Sequence, residues 1–152
     1  MICFIRIDNR LIHGQVVQSW LPEIKADKVF VISEQAAQNT LMAKMMRMAL
    51  PQGYDLQVSC AKEAYDSLKQ ETDKKVFLLI EDLEQFTELA KQGLGPQKIN
   101  IGNTKYDENK KEFSTGVYFD DKDLEIIKEL KSEGFTFIIQ ALPSSLEVKI
   151  NV

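Results

Sequence analysis

The stretch that decides the fold opens the chain and reads Ile2-Cys3-Phe4-Ile5-Arg6-Ile7-Asp8-Asn9-Arg10-Leu11-Ile12-His13-Gly14-Gln15. Its first four residues form an apolar run that is typical of a buried strand. Beyond it, helical spacing relates the apolar side chains Val16, Val17, Trp20 and Leu21, and we expect Pro22 to close that helix. His13 therefore lies in a strand-to-helix connection, where unpaired backbone N–H groups and the helix dipole favour an anion.

The same stretch contains several charged side chains close in sequence to one imidazole. His13 is the only histidine of the 152 residues, and Arg6, Asp8 and Arg10 precede it within seven positions. The guanidinium fork of Arg10 is suited to bidentate contact with phosphate oxygens. Asp8 either holds an arginine, orients the imidazole or forms an Asx turn, and Arg6 is either an edge-facing or a paired charge. These residue types predict a site that carries a phosphoryl group, and the alternative is a structural histidine.

The rest of the chain alternates short apolar runs with amphipathic segments. The runs that predict strands are 29–32, 54–59, 76–80, 98–101 and 135–139, with a short extended segment at 117–119 and a weak edge strand in the tail from 146 to 152. The segments that predict helices are 39–50, 63–70, 83–91 and 121–133, and Ser59 and Asp82 are candidate caps. We expect one domain over residues 1–152: an α/β fold with an open, mostly parallel sheet of six to seven strands and helices on both faces.

The predicted helix over residues 39–50 is rich in methionine. Its broad apolar face consists of Leu41, Met42, Met45, Met46 and Ala49. Such a cluster is compatible with a promiscuous peptide-binding surface, but the helical spacing favours packing in the core. We therefore expect these side chains to be buried.

A parallel sheet places its ligand site beyond the carboxyl ends of its strands. In this chain that edge collects the 8–13 loop, Ser33-Glu34, Ser59, Glu81-Asp82, Gly102-Asn103 and Gln140. His13 is thus expected at the functional edge of the sheet and not inside it.

Composition excludes several classes of function. The net charge of −4 and the lack of a basic stripe argue against nucleic acid as a partner. One histidine and two cysteines, Cys3 and Cys60, expected at buried or strand-end positions, do not supply a metal site or a disulfide framework. G-x-S-x-G, P-loop and dinucleotide-binding motifs are missing from the sequence. With neither a signal peptide nor an apolar run of about twenty residues, we expect a cytoplasmic protein that docks onto a separate membrane protein if it serves a membrane process.

The opening stretch, followed by Trp20, resembles the signature of phosphotransferase-system IIB components of the mannose/fructose/sorbose type. The resemblance extends along the chain through Ala49-Leu50-Pro51, Asn100-Ile101-Gly102-Asn103 and Gln140-Ala141-Leu142-Pro143. The segment from Asn100 to Tyr106 lacks the Gly-Gly pair of many mannose-type members and is similar to the galactosamine/N-acetylgalactosamine branch.

The resemblance implies a sugar phosphotransferase that works through phosphohistidine. His13 matches the histidine that is phosphorylated on Nδ1, and Arg10 matches the arginine that stabilises the phosphate. The backbone amides after His13, at Gly14 and Gln15, complete the phosphate-binding set, with Asp8 and Arg6 in support. The implied partners are a IIA component as donor, membrane-embedded IIC and IID components, and a hexose or hexosamine as acceptor. No cofactor, nucleotide or metal is required, and the protein is expected at the cytoplasmic side of its transporter.

Two other classes of protein share the predicted fold. A phospho-aspartate receiver needs an aspartate at the end of the third strand, and this chain has Val58-Ser59-Cys60 there. The alternative that remains open is a non-catalytic module of doubly wound fold that binds a small ligand or phosphate for signalling, in which His13 only contacts the ligand. Incubation with a phosphorylated donor distinguishes this module from a phosphotransferase.

Overall fold

The computed structural model describes residues 1–71 and 73–152. Its main feature is a seven-stranded sheet with the order β3-β2-β4-β1-β5-β8-β9. The strands of this sheet are β1 Ile2–Asp8, β2 Lys28–Ile32, β3 Asp55–Ser59, β4 Val76–Ile80, β5 Lys98–Asn103, β8 Thr136–Ile139 and β9 Val148–Lys149. All neighbours are parallel except β8 and β9, so the predicted open, mostly parallel sheet is confirmed.

Helices cover both faces of the sheet, as predicted. They are a π-helical turn, Val16–Trp20, and the α-helices α1 Leu21–Ile24, α2 Glu34–Ala37, α3 Thr40–Ala49, α4 Ala61–Lys69, α5 Leu83–Lys91 and α6 Asp121–Ser132. The π-helical turn and α1 to α3 pack on one face, and α4 to α6 pack on the other. Each face therefore has its own apolar core, and the central strand β4 between them is buried on both sides.

The centre of the sheet is formed by β4 and β1. Every residue of β4 is buried, which agrees with its uninterrupted run of five apolar residues in the sequence. β1 lies between β4 and β5, so its carboxyl end opens in the middle of the functional edge. The first strand of the chain thereby delivers the 8–13 loop to the centre of that edge.

Several local expectations were wrong. Pro22 does not close the first helix: it lies in the first turn of α1, where a missing N–H is tolerated, and the helix ends at Lys25 in the left-handed region. Ser59 still belongs to β3, and Cys60 occupies the N-cap of α4 without a side-chain hydrogen bond. Cys3 is exposed near the start of β1, so of the two expected kinds of position it has the strand-end one and not the buried one.

A second, two-stranded sheet includes residues 111–114, in a polar stretch for which the sequence does not predict a strand. β6, Lys111–Ser114, pairs antiparallel with β7, Val117–Phe119, through a turn at Gly116, whose φ is +75°. The extended segment at 117–119 is confirmed. β6 is mostly exposed and carries no apolar alternation, so the sequence gives little sign of it.

The methionine-rich helix differs most from expectation. α3 begins after Asn39, whose side chain accepts a hydrogen bond from the Met42 N–H, and its apolar face does not pack as a unit. Met46 is buried, but Leu41 and Met45 are 66% and 63% exposed. Helical spacing identified the helix correctly, and the sheet beneath it covers only a narrow stripe of it.

None of the helices in residues 1–71 and 73–152 combines the length and the hydropathy needed to cross a lipid bilayer.

Candidate functional site

The carboxyl ends of the strands meet as the sequence predicted. The Ser33 hydroxyl donates to a carboxylate oxygen of Glu81 at 2.7 Å, and the Asn103 amide donates to the Asn9 side-chain oxygen at 2.6 Å. The backbone N–H of Ser33 donates to the Ser59 carbonyl. These contacts join the ends of β2, β3 and β4 on one side and those of β1 and β5 on the other.

The backbone of the 8–13 loop places His13 at the start of a helix. β1 extends through Asp8, after which the chain turns sharply, with the Leu11 N–H bonded to the Asp8 carbonyl at 3.0 Å. Leu11 has φ of 59°, a conformation that is uncommon for a bulky residue, and its side chain is buried. Helical backbone begins at Gly14, and the His13 carbonyl accepts the Val17 N–H at 3.0 Å.

Asp8 performs all three roles that the sequence left open. Its Oδ1 accepts the backbone N–H of Arg10 at 3.0 Å, which is an Asx-type turn. The two carboxylate oxygens also accept the Arg10 Nε at 3.0 Å and Nη2 at 2.9 Å. His13 Nε2 lies 3.2 Å from Asp8 Oδ2. One carboxylate therefore fixes the loop, the arginine and the imidazole together.

The Asp8 side chain is fully buried and nevertheless charged. Burial by itself favours the neutral acid, but hydrogen bonds from His13 and Arg10 and the charge of Arg6 outweigh it, so the pKa of Asp8 lies well below its usual range. The carboxylate is ionised at neutral pH. It therefore acts as a hydrogen-bond acceptor for every donor around it.

Arg6 is a paired charge and fully buried. Its Nη2 donates to Asp8 at 3.3 Å, and its Nη1 donates to the Asn100 side chain. The carbonyls of Gln140 and Ala141 accept further hydrogen bonds at 2.8 and 3.1 Å. Burial lowers the pKa of Arg6 to about 10, so the guanidinium remains charged at neutral pH.

Gly102 leaves the space that the Arg6 guanidinium occupies. A Cβ on Gly102 would lie 1.8 Å from Arg6 Nη2 and 2.1 Å from its central carbon. On the other side, the guanidinium carbon lies 4.7 Å from the centre of the Trp20 ring. The indole N–H in turn donates to the Ala141 carbonyl at 3.0 Å. We call Arg6, Trp20, Asn100 and Gly102 the arginine pocket.

The remaining predicted phosphate ligands lie on the outside of the loop. Gly14 and Gln15 are exposed, and the Gln15 side-chain oxygen is 3.5 Å from Arg10 Nη2. The Arg10 side chain is 37% exposed and that of His13 is 18% exposed. The structure thus brings Arg10, His13, Gly14 and Gln15 to the surface around Asp8, and it places Arg6 behind Asp8 in the interior.

Sequence reasoning did not assign a role to Trp20 beyond the core. The signal was its position, one helical turn after Val16 and Val17 on the face that meets β1, but spacing alone does not reveal a partner for the indole. In the described parts of the chain, no three His, Cys, Asp or Glu side chains are grouped so that they could hold a metal ion. Chemically, the arrangement offers an oriented imidazole, a guanidinium and free backbone amides.

Comparison with known proteins agrees with this geometry. A sequence model of the family described as PTS system sorbose subfamily IIB component, where PTS denotes the phosphotransferase system, matches residues 2–151. The chain is 30% identical over 151 residues to the N-acetylgalactosamine-specific phosphotransferase enzyme IIB component 1 of Escherichia coli (strain K12), with 98% of this chain and 96% of that protein covered. It is 28% identical to the sorbose-specific EIIB component of Lacticaseibacillus casei, with 95% of this chain and 92% of that protein covered.

The fold is also similar to a solved structure of such a protein. The crystal structure of the PTS system N-acetylgalactosamine-specific IIB component 1 from Escherichia coli superimposes with a TM-score of 0.93 and 28% identity, covering 99% of this chain and 100% of that one. The resemblance of residues 2–15 and the architecture of the whole chain lead to the same family. The chain belongs to the IIB components of the sorbose subfamily of the phosphotransferase system.

Proposed function

We propose that His13 carries a phosphoryl group on Nδ1, taken from a phosphohistidine of a IIA component and passed to a hexose or hexosamine. The observation that carries the proposal is the contact of His13 Nε2 with the ionised Asp8 carboxylate at 3.2 Å. A carboxylate only accepts hydrogen bonds, so it favours the tautomer with the proton on Nε2. The lone pair is then on Nδ1, the nitrogen that Asp8 leaves free.

The transfer needs little from the protein beyond positioning and charge. In the first step Nδ1 attacks phosphorus, and the bond from phosphorus to the donor imidazole breaks, returning the electron pair to the donor. While His13 holds both phosphorus and the Nε2 proton, its ring is cationic, and the Asp8 carboxylate stabilises that charge. In the second step a sugar hydroxyl attacks phosphorus and loses its proton, and Nδ1 leaves with its electron pair.

Arg10 supports the phosphoryl group without leaving Asp8. A guanidinium has five N–H donors, and Arg10 directs Nε and one N–H of Nη2 at the carboxylate. The second N–H of Nη2 faces the Gln15 side-chain oxygen at 3.5 Å, which leaves the two N–H groups of Nη1 for phosphoryl oxygens, and Asp8 holds the plane of the guanidinium in place. The backbone amides of Gly14 and Gln15, at the start of the helix, are the further donors in the proposed scheme.

The proposed setting is sugar uptake through membrane IIC and IID components, with this chain on their cytoplasmic side. The names of the two relatives, one specific for N-acetylgalactosamine and one for sorbose, support a sugar as acceptor. The galactosamine-like segment after Asn100 favours an amino sugar. Membranes that contain the cognate IIC and IID test this choice, because phosphorylation of N-acetylgalactosamine should then exceed that of sorbose.

The central experiment is phosphorylation by phosphorylated IIA, followed by intact mass and imidazole ¹⁵N spectroscopy. One phosphoryl group should add and should be lost in mild acid, as a phosphoramidate is. Because the chain has one histidine, its two ring nitrogens are assigned without ambiguity, and the phosphorus should be on Nδ1. His13→Ala should take up no phosphoryl group. If the chain is instead a module that only binds phosphate, the unchanged protein should take up none either. Phosphate on the Ala variant, resistance to acid or phosphorus on Nε2 would each contradict the proposal.

A further inference from the structure

An exposed apolar stripe runs along α3. Leu41, Met45 and Met48 are 66%, 63% and 84% exposed. Their spacing of four and three residues places them on one face of the helix, while Met46 faces the core on another. We call Leu41, Met45 and Met48 the α3 stripe. Three large apolar side chains on one face of a ten-residue helix indicate a surface that is covered during function.

The charges on α3 specify what kind of partner fits the stripe. Lys44 is three residues after Leu41 and four before Met48, so it lies on the same side of the helix, and Arg47 lies one residue before Met48. The helix contains no aspartate or glutamate, although acidic residues outnumber basic ones in the chain by 23 to 19. A cationic, apolar helix face on an acidic protein complements an anionic surface.

A second copy of the chain fits these observations poorly. A two-fold interface centred on the α3 stripe would bring Lys44 and Arg47 close to the same residues of the other copy. A stable interface also buries roughly 800 Å² on each partner, more than three side chains provide. Arg47 moreover donates to the Leu56 carbonyl of the outer strand β3 at 3.4 Å, so the neighbouring sheet edge is already partly occupied.

We propose that the α3 stripe, together with Lys44 and Arg47, contacts the anionic surface of a lipid bilayer. Apolar side chains flanked by lysine and arginine form the pattern of helices that lie in the headgroup region of membranes. Methionine suits such a surface, because its unbranched, flexible side chain adapts to an irregular environment. The contact is with lipid itself and does not depend on phosphoryl transfer, so it stands apart from the proposed function.

Flotation of the whole chain with vesicles tests the proposal. The protein should float with vesicles of phosphatidylglycerol and phosphatidylcholine at low salt, and it should not float with phosphatidylcholine alone. Lys44→Gln with Arg47→Gln should weaken binding by about fivefold per charge. Met45→Gln with Met48→Gln should weaken it by about tenfold, since apolar area is lost from the contact.

Matched controls separate the stripe from general charge and general hydrophobicity. Lys62→Gln with Lys91→Gln removes the same charge from α4 and α5, and Leu146→Gln removes an apolar side chain that is 90% exposed. These controls should float like the unchanged protein. Four results would overturn the proposal: no flotation, equal flotation with neutral vesicles, equal losses in the controls, or a dimer in sedimentation that the stripe variants abolish. Phosphorylation by IIA should be unchanged in every variant, so loss of that activity bears on the proposed function alone.

Discussion

Arg6 and Arg10 are four residues apart and both bind the Asp8 carboxylate, but they differ in burial and in their other hydrogen-bond partners. Arg6, at the end of β1, is completely buried in the arginine pocket, and its guanidinium is bonded to Asp8, Asn100 and two backbone carbonyls. Arg10, in the loop, binds Asp8 with two nitrogens and is 37% exposed. The buried arginine holds the carboxylate from behind, and the exposed one keeps donors for a ligand in front of it.

The difference in burial between the two arginines indicates how a charged group at the surface of this fold is held in position. Asp8 orients the loop arginine, which the proposed function assigns to phosphate binding, and this carboxylate must remain charged inside the protein. A buried carboxylate stays ionised only when cationic or N–H partners compensate the lost water. Arg6 provides that compensation where solvent cannot reach. We therefore expect Arg6 to act on stability and position, and Arg10 to act on transfer.

The largest expected effect separates the two arginines by stability. Arg6→Met leaves the Asp8 carboxylate buried without its interior cation, and we expect a loss of about 3–5 kcal/mol in the free energy of unfolding. Arg10→Met should cost about 1 kcal/mol or less, because solvent replaces its contacts. Urea unfolding of both variants measures the difference. Equal losses would show that burial does not distinguish the two arginines.

The next effect concerns the rate of phosphoryl transfer, for which we expect Arg10 to matter more than Arg6. Arg10→Ala should slow single-turnover transfer from phosphorylated IIA by on the order of 10²-fold, as expected when one charged donor to the reacting group is removed. Arg10→Lys should recover only part of the rate, because an ammonium cannot reproduce the planar fork.

Measurement at two salt concentrations completes this test. A residue that contacts the phosphoryl group should keep its effect at high salt, since its action is at short range. Full recovery by lysine, with strong salt dependence in both proteins, would mean that Arg10 only attracts the donor.

A smaller effect is expected from the wall of the arginine pocket. Gly102→Ala places a methyl group where the Arg6 guanidinium lies, and we expect a loss of about 1–3 kcal/mol from the displaced hydrogen bonds. Gly95→Ala is the matched control: a Cβ there meets no atom within 4 Å, so stability should change by about 0.5 kcal/mol or less. In the background of Arg6→Met, the cost of Gly102→Ala should shrink. Additive losses would show that the two residues act separately.

The smallest effect is the pH dependence of the shared carboxylate. The pKa of Asp8 is lower in the folded chain than the value of about 3.9 for an unfolded aspartate, so its ionised form stabilises the fold. That contribution is complete above about pH 5 and is lost as the pH falls through the lower folded-state pKa. The stability gap between the unchanged protein and Asp8→Asn should therefore be smaller at about pH 3 than at about pH 5. A gap that widens on acidification would contradict this sign.

The sequence predicted the parts of the fold that depend on repeated apolar spacing. The runs at Val29 and Val76 became β2 and β4, and Asp82 and Asp120 cap α5 and α6 as their position suggested. His13 was expected at the functional edge because every parallel strand ends on the same side of the sheet. This inference does not require knowledge of the strand order. Periodicity and cap chemistry are local properties, so they can be read without knowing the neighbours.

What could not be predicted depends on contacts between distant residues. The burial of Arg6 requires space above Gly102 and carbonyls from residues 140 and 141, and none of these is visible in the alternation around Arg6. The exposure of Met45 depends on how much of α3 the sheet covers. Pro22 was misread because the π-helical turn before it lets α1 begin at Leu21, where the N–H bonds to the carbonyl of Val16 five residues back.

Trp20 is an intrinsic fluorophore inside the arginine pocket. It is the only tryptophan of the chain, its ring is 3% exposed, and it lies against the guanidinium that shares Asp8 with His13. The indole emission of the intact protein therefore reports from one known place, with no label attached. Two residues, Asp8 and Arg6, connect the His13 ring to this chromophore through three contacts. We therefore expect the proposed phosphorylation of His13 to change the wavelength or intensity of Trp20 emission, and Trp20→Phe measures the background signal.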